Sequence, residues 1–290
     1  MRKCLQGEDK TNLCRAAKGT LQIMPLLYGL HPVEEVIRSG NRQLEYVVIS
    51  RQRQDIRLKR IADACQAAGI PVRSEPKEQL TKLARTEAHQ GVVAVVAERG
   101  YCSLEELAQP AGHDLFLLAL DGVEDPHNLG ALLRTANGAG VDGVVLPERR
   151  AVGVNATVVK TSAGAAEYVR IARVTNLVRA LEELKRQNVW CVGLDERGSA
   201  NYDRFDYRCN FVLVLGGEGS GLHELTRRTC DHLLRIPMAG QVSSLNVSVA
   251  GAVVMYEAAR QRRMVLAPPL SENTATAAER SKRSLKGVGS

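Results

Sequence analysis

Aromatic residues are scarce in this chain: 4% of 290 positions, with Trp190 the single tryptophan. A platform of aromatic side chains stacked on successive bases is therefore not its main means of holding nucleic acid. Cysteine offers no scaffold either. Cys4, Cys14, Cys65, Cys102, Cys191, Cys209 and Cys230 lie far apart, their number is odd, and no C-x-x-C pair occurs. That pattern argues against a disulfide framework and against a zinc site; no metal is expected, and a reducing cytoplasm suits it. Apolar runs are only strand-sized, so no membrane-spanning helix is expected. The basic N-terminus lacks the apolar stretch of a signal peptide. Negative charge is also short: 39 Lys and Arg against 32 Asp and Glu leave +7. A polyanionic partner, RNA before others, fits that balance.

The length allows two domains. Residues 1–24 are polar and aperiodic, and organised sequence begins after Met24, so this stretch reads as a flexible or non-native extension. Residues 25–98 alternate. Strands are expected at Tyr46–Ser50, Ile70–Val72 and Gly91–Ala97, with helices at Asp55–Ala68 and Pro76–Ala84, which makes a small α/β unit. A linker, 99–113, is punctuated by Pro110 and Gly112. Residues 114–266 carry strands at 114–121, 143–147, 168–174, 189–195 and 211–216. Helices His127–Gly138, Ala156–Thr161, Leu177–Gln187 and Asn246–Arg262 are interleaved with them. This alternation implies a mostly parallel sheet covered on both faces, hence an α/β class. Residues 267–290 are rich in Pro, Ser and Thr and read as a disordered tail.

Three segments of the second domain hold candidate chemistry. In DGVEDPHNLGALLRTANGAG (121–140), Asn128 opens a helix and Arg134 follows less than two turns later. The pair can flank one pocket at a helix end that favours phosphate. Equally, Asn128 can be a cap and Arg134 a solvated cation. Next, the loop Gly216-Gly217-Glu218-Gly219-Ser220-Gly221 follows a strand. It is not a P-loop, because no Lys-Ser/Thr pair follows, and a Rossmann fingerprint belongs at the first βα turn of its domain. Its glycines allow close backbone approach to a ligand. Glu218 can face a cation, pair with Arg134, or stand in solvent. Last, IPMAGQVSSLN (236–246) sets Ser243, Ser244 and Asn246 where each can cap the final helix. His31 and His127 have no ligand-spaced partner and read as structural. In the first unit Arg51, Arg53, Arg57, Lys59 and Arg60 cluster on one loop and helix start. A solvated helix face is the ordinary reading of such a run; phosphate contact is the other.

Taken in order, N-x-G-x-x-x-R-T-A (128–136), G-x-E-G-x-G (216–221) and IPMAG with VSSLNVSVA (236–250) resemble the SpoU branch of the SPOUT RNA 2′-O-methyltransferases. YGLHPVEEVI (28–37) and HQGVVAVV (89–96) resemble the substrate-binding domain that precedes many of them. The resemblance spans about residues 26–262, and within the family it is strongest to the type acting on a 23S rRNA guanosine. It implies an α/β-knot domain with a deep trefoil knot, behind a small α/β ribosomal-protein-like RNA-binding domain. It implies S-adenosylmethionine as cofactor, held at Gly216, Ile236 and Leu245. The catalytic set it implies is Asn128, Arg134, Glu218, Ser244 and Asn246. A guanidinium is a poor base, its pKa being above 12, so Arg134 is assigned to stabilise the developing alkoxide; proton abstraction by it stays open. Beside an RNA methyltransferase domain, the basic cluster at 51–60 becomes a set of phosphate contacts. A homodimer, a cytoplasmic location and 23S rRNA as partner follow from the family as well. The rivals are 2′-O-methylation of tRNA or of another rRNA site, a non-catalytic RNA-binding protein on the same fold, and a nicotinamide-dependent Rossmann enzyme.

Overall fold

The computed structural model describes residues 13–15, 21–23, 25–53, 55–109, 112–219 and 221–266. Two short strands, β1 (Leu13–Arg15) and β2 (Leu21–Ile23), pair antiparallel where the sequence shows no period. The other residues of the expected extension, and the expected tail at 267–290, lie outside the described residues.

The first unit is a four-stranded sheet of β3 (Leu26–Tyr28), β4 (Leu44–Ser50), β5 (Val72–Glu75) and β6 (Val92–Val96), in the order β3-β6-β4-β5. Helices α1 (Leu30–Ser39), α2 (Ile56–Ala67) and α3 (Lys77–Ala84) cover it. β6 is apolar throughout because both of its faces are covered. Val92, Ala94 and Val96 join Val33, Val36, Leu58 and Ile61 in one core, while Val93 packs with Val48 and Leu80 in another. The strand expected at Ile70–Val72 lies instead at Val72–Glu75. Gly69, at φ 68, turns the chain out of α2, and the Ile70 N–H is still bonded to the Cys65 carbonyl at 2.8 Å, so pairing begins only at Val72. The expected linker also holds a helix, α4 (Leu104–Leu107). Ser103 and Glu106 close a capping box on it, and its Leu107 is fully buried.

The second unit contains seven strands: β7 (Phe116–Asp121), β8 (Gly143–Pro147), β9 (Ile171–Val174), β10 (Trp190–Leu194), β11 (Ala200–Asn201), β12 (Phe211–Gly216) and β13 (His232–Arg235). They run in the order β11-β13-β10-β12-β7-β8-β9, each neighbouring pair parallel. Around them lie α5 (Pro126–Ala139), α6 (Ala156–Thr161), α7 (Leu177–Arg186), α8 (Glu224–Thr229) and α9 (Val247–Leu266). On one face Phe116, Leu118, Leu120, Leu213 and Leu215 meet Leu129, Leu132 and Leu133 of α5 and Val254, Met255 and Ala258 of α9. On the other, Leu117, Ala119, Val212 and Val214 meet Leu177, Leu181 and Leu184 of α7. The strand expected from Tyr168 starts at Ile171, because Ala165–Glu167 first makes a 3-10 turn. β11, α8 and β13 are elements the sequence reading did not anticipate.

β7 has its immediate successor β8 on one side and the much later β12 on the other. A reversal of this kind opens a crevice at the carboxyl ends of the strands around it. Among the described residues no helix is long and apolar enough to cross a membrane. Cys65, Cys102, Cys191, Cys209 and Cys230 are free thiols. Burial pushes Cys65 up to about 11 and both Cys191 and Cys230 up to about 12. Cys65 and Cys191, both buried, are expected to stay unmodified by Ellman's reagent at pH 8 until the protein is unfolded. Peptide mapping of the native, reacted protein checks this; modification there would contradict the packing.

Candidate active site

The glycine-rich loop begins where β12 ends, in the middle of the sheet. The Gly216 backbone lies so close to the returning chain that a Cβ on it would stand 2.0 Å from the Gly221 carbonyl carbon. Gly219 and Gly221 adopt φ of 78 and 64, which L side chains rarely take. The loop's far end is tied to the end of β7. Asp121, 7% exposed, accepts the His223 backbone N–H at 2.9 Å and faces His223 Nδ1 at 3.0 Å. Glu218 is thereby held over the start of α5.

There it meets the other two segments. Asn128 Nδ2 donates to Glu218 Oε1 at 2.5 Å, and Asn246 Nδ2 donates to Asn128 Oδ1 at 3.1 Å. The free acceptor of Asn246 caps α9 by taking the Ser248 backbone N–H at 2.9 Å and its hydroxyl at 2.6 Å. Asn246 thus serves as cap and as network member at once. Asn128 is not the cap of α5: Asp125 is, accepting the His127 N–H, with Pro126 opening the helix. A carboxylate and two carboxamides from distant parts of the chain form one fixed line.

Beside this line lies a cleft of about 450 Å³, a size that suits a nucleoside-sized ligand. Gly216, Glu218, Ile236, Ser244, Leu245 and Asn246 all line it. Ile236, Leu245, Leu194 and Leu215 supply apolar walls, and the backbones at 216–217 and 243–246 supply polar groups. The backbone-tight approach at Gly216 and these apolar walls fit an adenine-bearing cofactor. Sequence reasoning missed one wall, Asp195, Glu196 and Arg197, in the turn after β10. Arg197 grips Asp195 through Nε at 2.9 Å and Nη2 at 3.0 Å, and these bonds hold the Asp195 carboxyl below its usual range. The available signal was VWCVGLD: a parallel strand ending in a carboxylate at the edge where ligands bind.

Arg134 stands apart. It is exposed, lines no part of the cleft, and has no hydrogen bond or ion pair among the described residues. Six residues turn a helix by about 600°, which leaves Asn128 and Arg134 roughly 120° apart around α5. Glu218 accordingly pairs with Asn128 and not with Arg134. Arg51, Arg53, Arg57, Lys59 and Arg60 are all exposed at the start of α2. Arg53 is tied to Asp55 at 3.1 Å and to the Gln90 carbonyl, and Arg51 to the Ser74 carbonyl.

An α/β domain with a nucleoside-sized cleft at the carboxyl edge of a parallel sheet is what fold and site define. Residues 115–256 match the SpoU rRNA methylase family, and residues 26–102 match the RNA 2′-O ribose methyltransferase substrate-binding family. The 23S rRNA (guanosine-2′-O-)-methyltransferase RlmB of Bordetella pertussis is 45% identical over 82% of this chain and 98% of its own length. Among solved structures, the SpoU methyltransferase AviRb from Streptomyces viridochromogenes, in complex with AdoMet, aligns with a TM-score of 0.71 and 25% identity. That alignment covers 82% of this chain and 90% of that one. An AdoMet-bound rRNA methyltransferase from Sinorhizobium meliloti aligns with a TM-score of 0.69 and 28% identity, over 81% and 86% of the two chains. The chain belongs to the SpoU rRNA methylase family and is an S-adenosylmethionine-dependent RNA 2′-O-ribose methyltransferase.

Proposed function

We propose that the enzyme methylates the ribose 2′-hydroxyl of one guanosine in the peptidyl-transferase loop of 23S rRNA, a step of ribosome maturation. The observation that carries this reading is the 45% identity, over nearly the whole of the relative, to a protein named as a 23S rRNA guanosine-2′-O-methyltransferase. S-adenosylmethionine supplies an electrophilic methyl on a sulfonium. This chain's residues do the rest. Ile236 and Leu245, which line the cleft, would flank the adenine, with the backbone at Gly216 against the cofactor. Glu218, fixed by Asn128 and through it by Asn246, lines the cleft and would offer its carboxylate to the positive centre of the bound cofactor. Ser244 and Asn246 border the place where the ribose enters. Arg134, reaching the site from a second copy, would stabilise charge on the ribose oxygen as its proton passes to solvent water.

The reading includes a homodimer and a deep knot. Gly138, one turn beyond Arg134 on α5, packs against the Tyr256 hydroxyl of α9. Tyr256 and Val249, seven residues apart on α9, are 48% and 50% exposed. A second copy covering this apolar face would bring a cleft toward Arg134. For the knot, the support is that Gly198 presses on the Leu234–Arg235 backbone while Arg262 of α9 bonds the Tyr207 and Cys209 carbonyls. A cytoplasmic site of action follows from the substrate.

The test is incubation with labelled S-adenosylmethionine and separated 23S rRNA, 16S rRNA and tRNA from cells lacking the enzyme. Label in one 23S guanosine, on the ribose, is expected; label confined to tRNA or 16S rRNA would overturn the assignment. On the first unit, the side chains of Arg57, Lys59 and Arg60 are exposed and make no hydrogen bond or ion pair among the described residues. Replacing all three by glutamine is expected to weaken rRNA binding and to flatten log K against log salt by about 0.7–0.9 per lost phosphate contact. An unchanged slope would move the RNA path elsewhere.

A further inference from the structure

β7 ends on Asp121, and this one residue holds the glycine-rich loop at both of its ends. At the start, Asp121 is paired in register with Gly216, the last residue of β12. At the finish, its carboxylate takes two groups of His223. Oδ2 accepts the backbone N–H at 2.9 Å, and Oδ1 faces Nδ1 at 3.0 Å. An ionised carboxylate can only accept, so Nδ1 is assigned the proton of the imidazole. Asp121 is buried, while His223 is exposed. Both oxygens of a buried acid in the middle of the sheet are thus spent on one residue beyond the loop.

His223 is an unexpected residue for its place in the chain. It stands at the cap position of α8, with φ −59 and ψ 146, where a short oxygen-bearing side chain ordinarily accepts an N–H of the first turn. Its own side chain makes no such bond. The imidazole turns back instead and lies on Gly122, where a Cβ would stand 3.1 Å from its Cε1. The Gly122 carbonyl oxygen in turn lies against Gly217, so close that a Cβ there would be 2.2 Å away. Gly217 precedes Glu218, and Gly122 opens the segment that leads to Asp125, the cap of α5. Imidazole, Gly122 and Gly217 therefore pack in succession and end beside Glu218. Neither Asp121 nor His223 lines the cofactor cleft. A local rule given up in this way is expected at residues that serve a site.

We propose that Asp121 and His223 are positioning residues for Glu218: their tie fixes the glycine-rich loop, and with it the carboxylate at the cleft, from outside the cleft itself. The role given to Glu218 rests on the function proposed above; the tie does not. Glu218 reaches its place through Asn128 Nδ2, and Asn128 through Asn246 Nδ2. A hydrogen bond weakens quickly as distance and angle depart from the optimum. A loop freed at its far end therefore loses this line of bonds, and a misplacement of about 1 Å in a site can cost about 10²-fold in rate. Leu222, buried on the α7 side of the sheet, is a second anchor of the loop. It holds depth by packing, which does not fix where a carboxylate points.

The test uses the full chain with His223→Ala, His223→Asn and Asp121→Ala. The first keeps the backbone N–H and removes the imidazole, and the second restores a donor near the Nδ1 position. Asp121→Ala loses both bonds; if it fails to fold, the two His223 variants carry the test. Hydrogen exchange of the peptide 216–223 is expected to quicken in His223→Ala and to return toward the parent in His223→Asn, with α7 unchanged. Affinity for S-adenosylmethionine, by calorimetry, is expected to fall about 10-fold in His223→Ala and about 100-fold in Asp121→Ala. In a Glu218→Gln background the further loss from His223→Ala is expected to shrink below about 2-fold, because the group being positioned is gone. An undiminished loss there would overturn the positioning role and leave a structural brace. Unchanged exchange and affinity in His223→Ala would overturn the tie. Parent-like affinity and turnover in Glu218→Gln alone would strike the role proposed for Glu218, and the positioning role with it. That failure is distinguished from a failed tie by the exchange data, which need neither cofactor nor RNA.

Discussion

Arg134→Ala is expected to slow methyl transfer by about 10²–10³-fold, the scale of a lost oxyanion donor, while cofactor affinity and stability hold. The expectation follows from where the side chain is. It is exposed on α5 and has no partner among the described residues, so its removal breaks no internal bond. Surface changes of that kind usually shift stability by no more than about 0.5 kcal/mol. It also lies off the cleft lining, so the cofactor walls remain. Single-turnover rates with labelled cofactor, beside a melting curve and a cofactor titration, separate these effects. Near-parent turnover would remove Arg134 from the mechanism. A large fall in Tm would show that the residue acts structurally.

Gly216→Ala is expected to do the reverse and strike cofactor binding directly. The added methyl would stand 2.0 Å from the Gly221 carbonyl carbon, 2.3 Å from its oxygen and 2.3 Å from the Leu222 nitrogen. These are backbone atoms and cannot rotate away. Gly216 itself cannot retreat, since it is paired with Asp121 in the middle of the sheet. The loop that carries Glu218 must move, and with it one wall of the cleft. Cofactor affinity is expected to fall at least a hundredfold, about 2.8 kcal/mol. Gly240→Ala is the control: no atom lies within 4 Å of its Cβ position, and it does not line the cleft. Equal affinities for parent and Gly216→Ala would mean that the close approach at this turn is not what shapes the site.

Much of this is legible in the sequence. β7 and β12 are six-residue runs buried along their whole length, and a strand covered on both faces must be apolar at every position. α7 shows its buried stripe at 177, 180, 181 and 184, the helical period itself. β13 was not readable, because its four residues begin with His232 and end with Arg235, both exposed. α8, at six residues with three of them charged, presents no period to read. The site divides in the same way. Its loops announced themselves by glycine and by Ser243, Ser244 and Asn246 ahead of the final helix. Their union did not: Glu218, Asn128 and Asn246 meet only because β12 inserts beside β7 and α9 packs on α5. Spacing along one helix misjudged the Asn128–Arg134 pair, since proximity in sequence ignores the rotation between them. The Asp195–Arg197 wall escaped because strand-end position, and no motif, marks it.

Whether three distant segments close one S-adenosylmethionine cleft is tested by ultraviolet photolabelling with radiolabelled S-adenosylmethionine, followed by peptide mapping. The account predicts label in the peptides spanning 194–197, 215–221 or 236–247, abolished by excess S-adenosylhomocysteine and absent from Gly216→Ala. Competable label confined to the first unit would place the cofactor elsewhere and contradict the account.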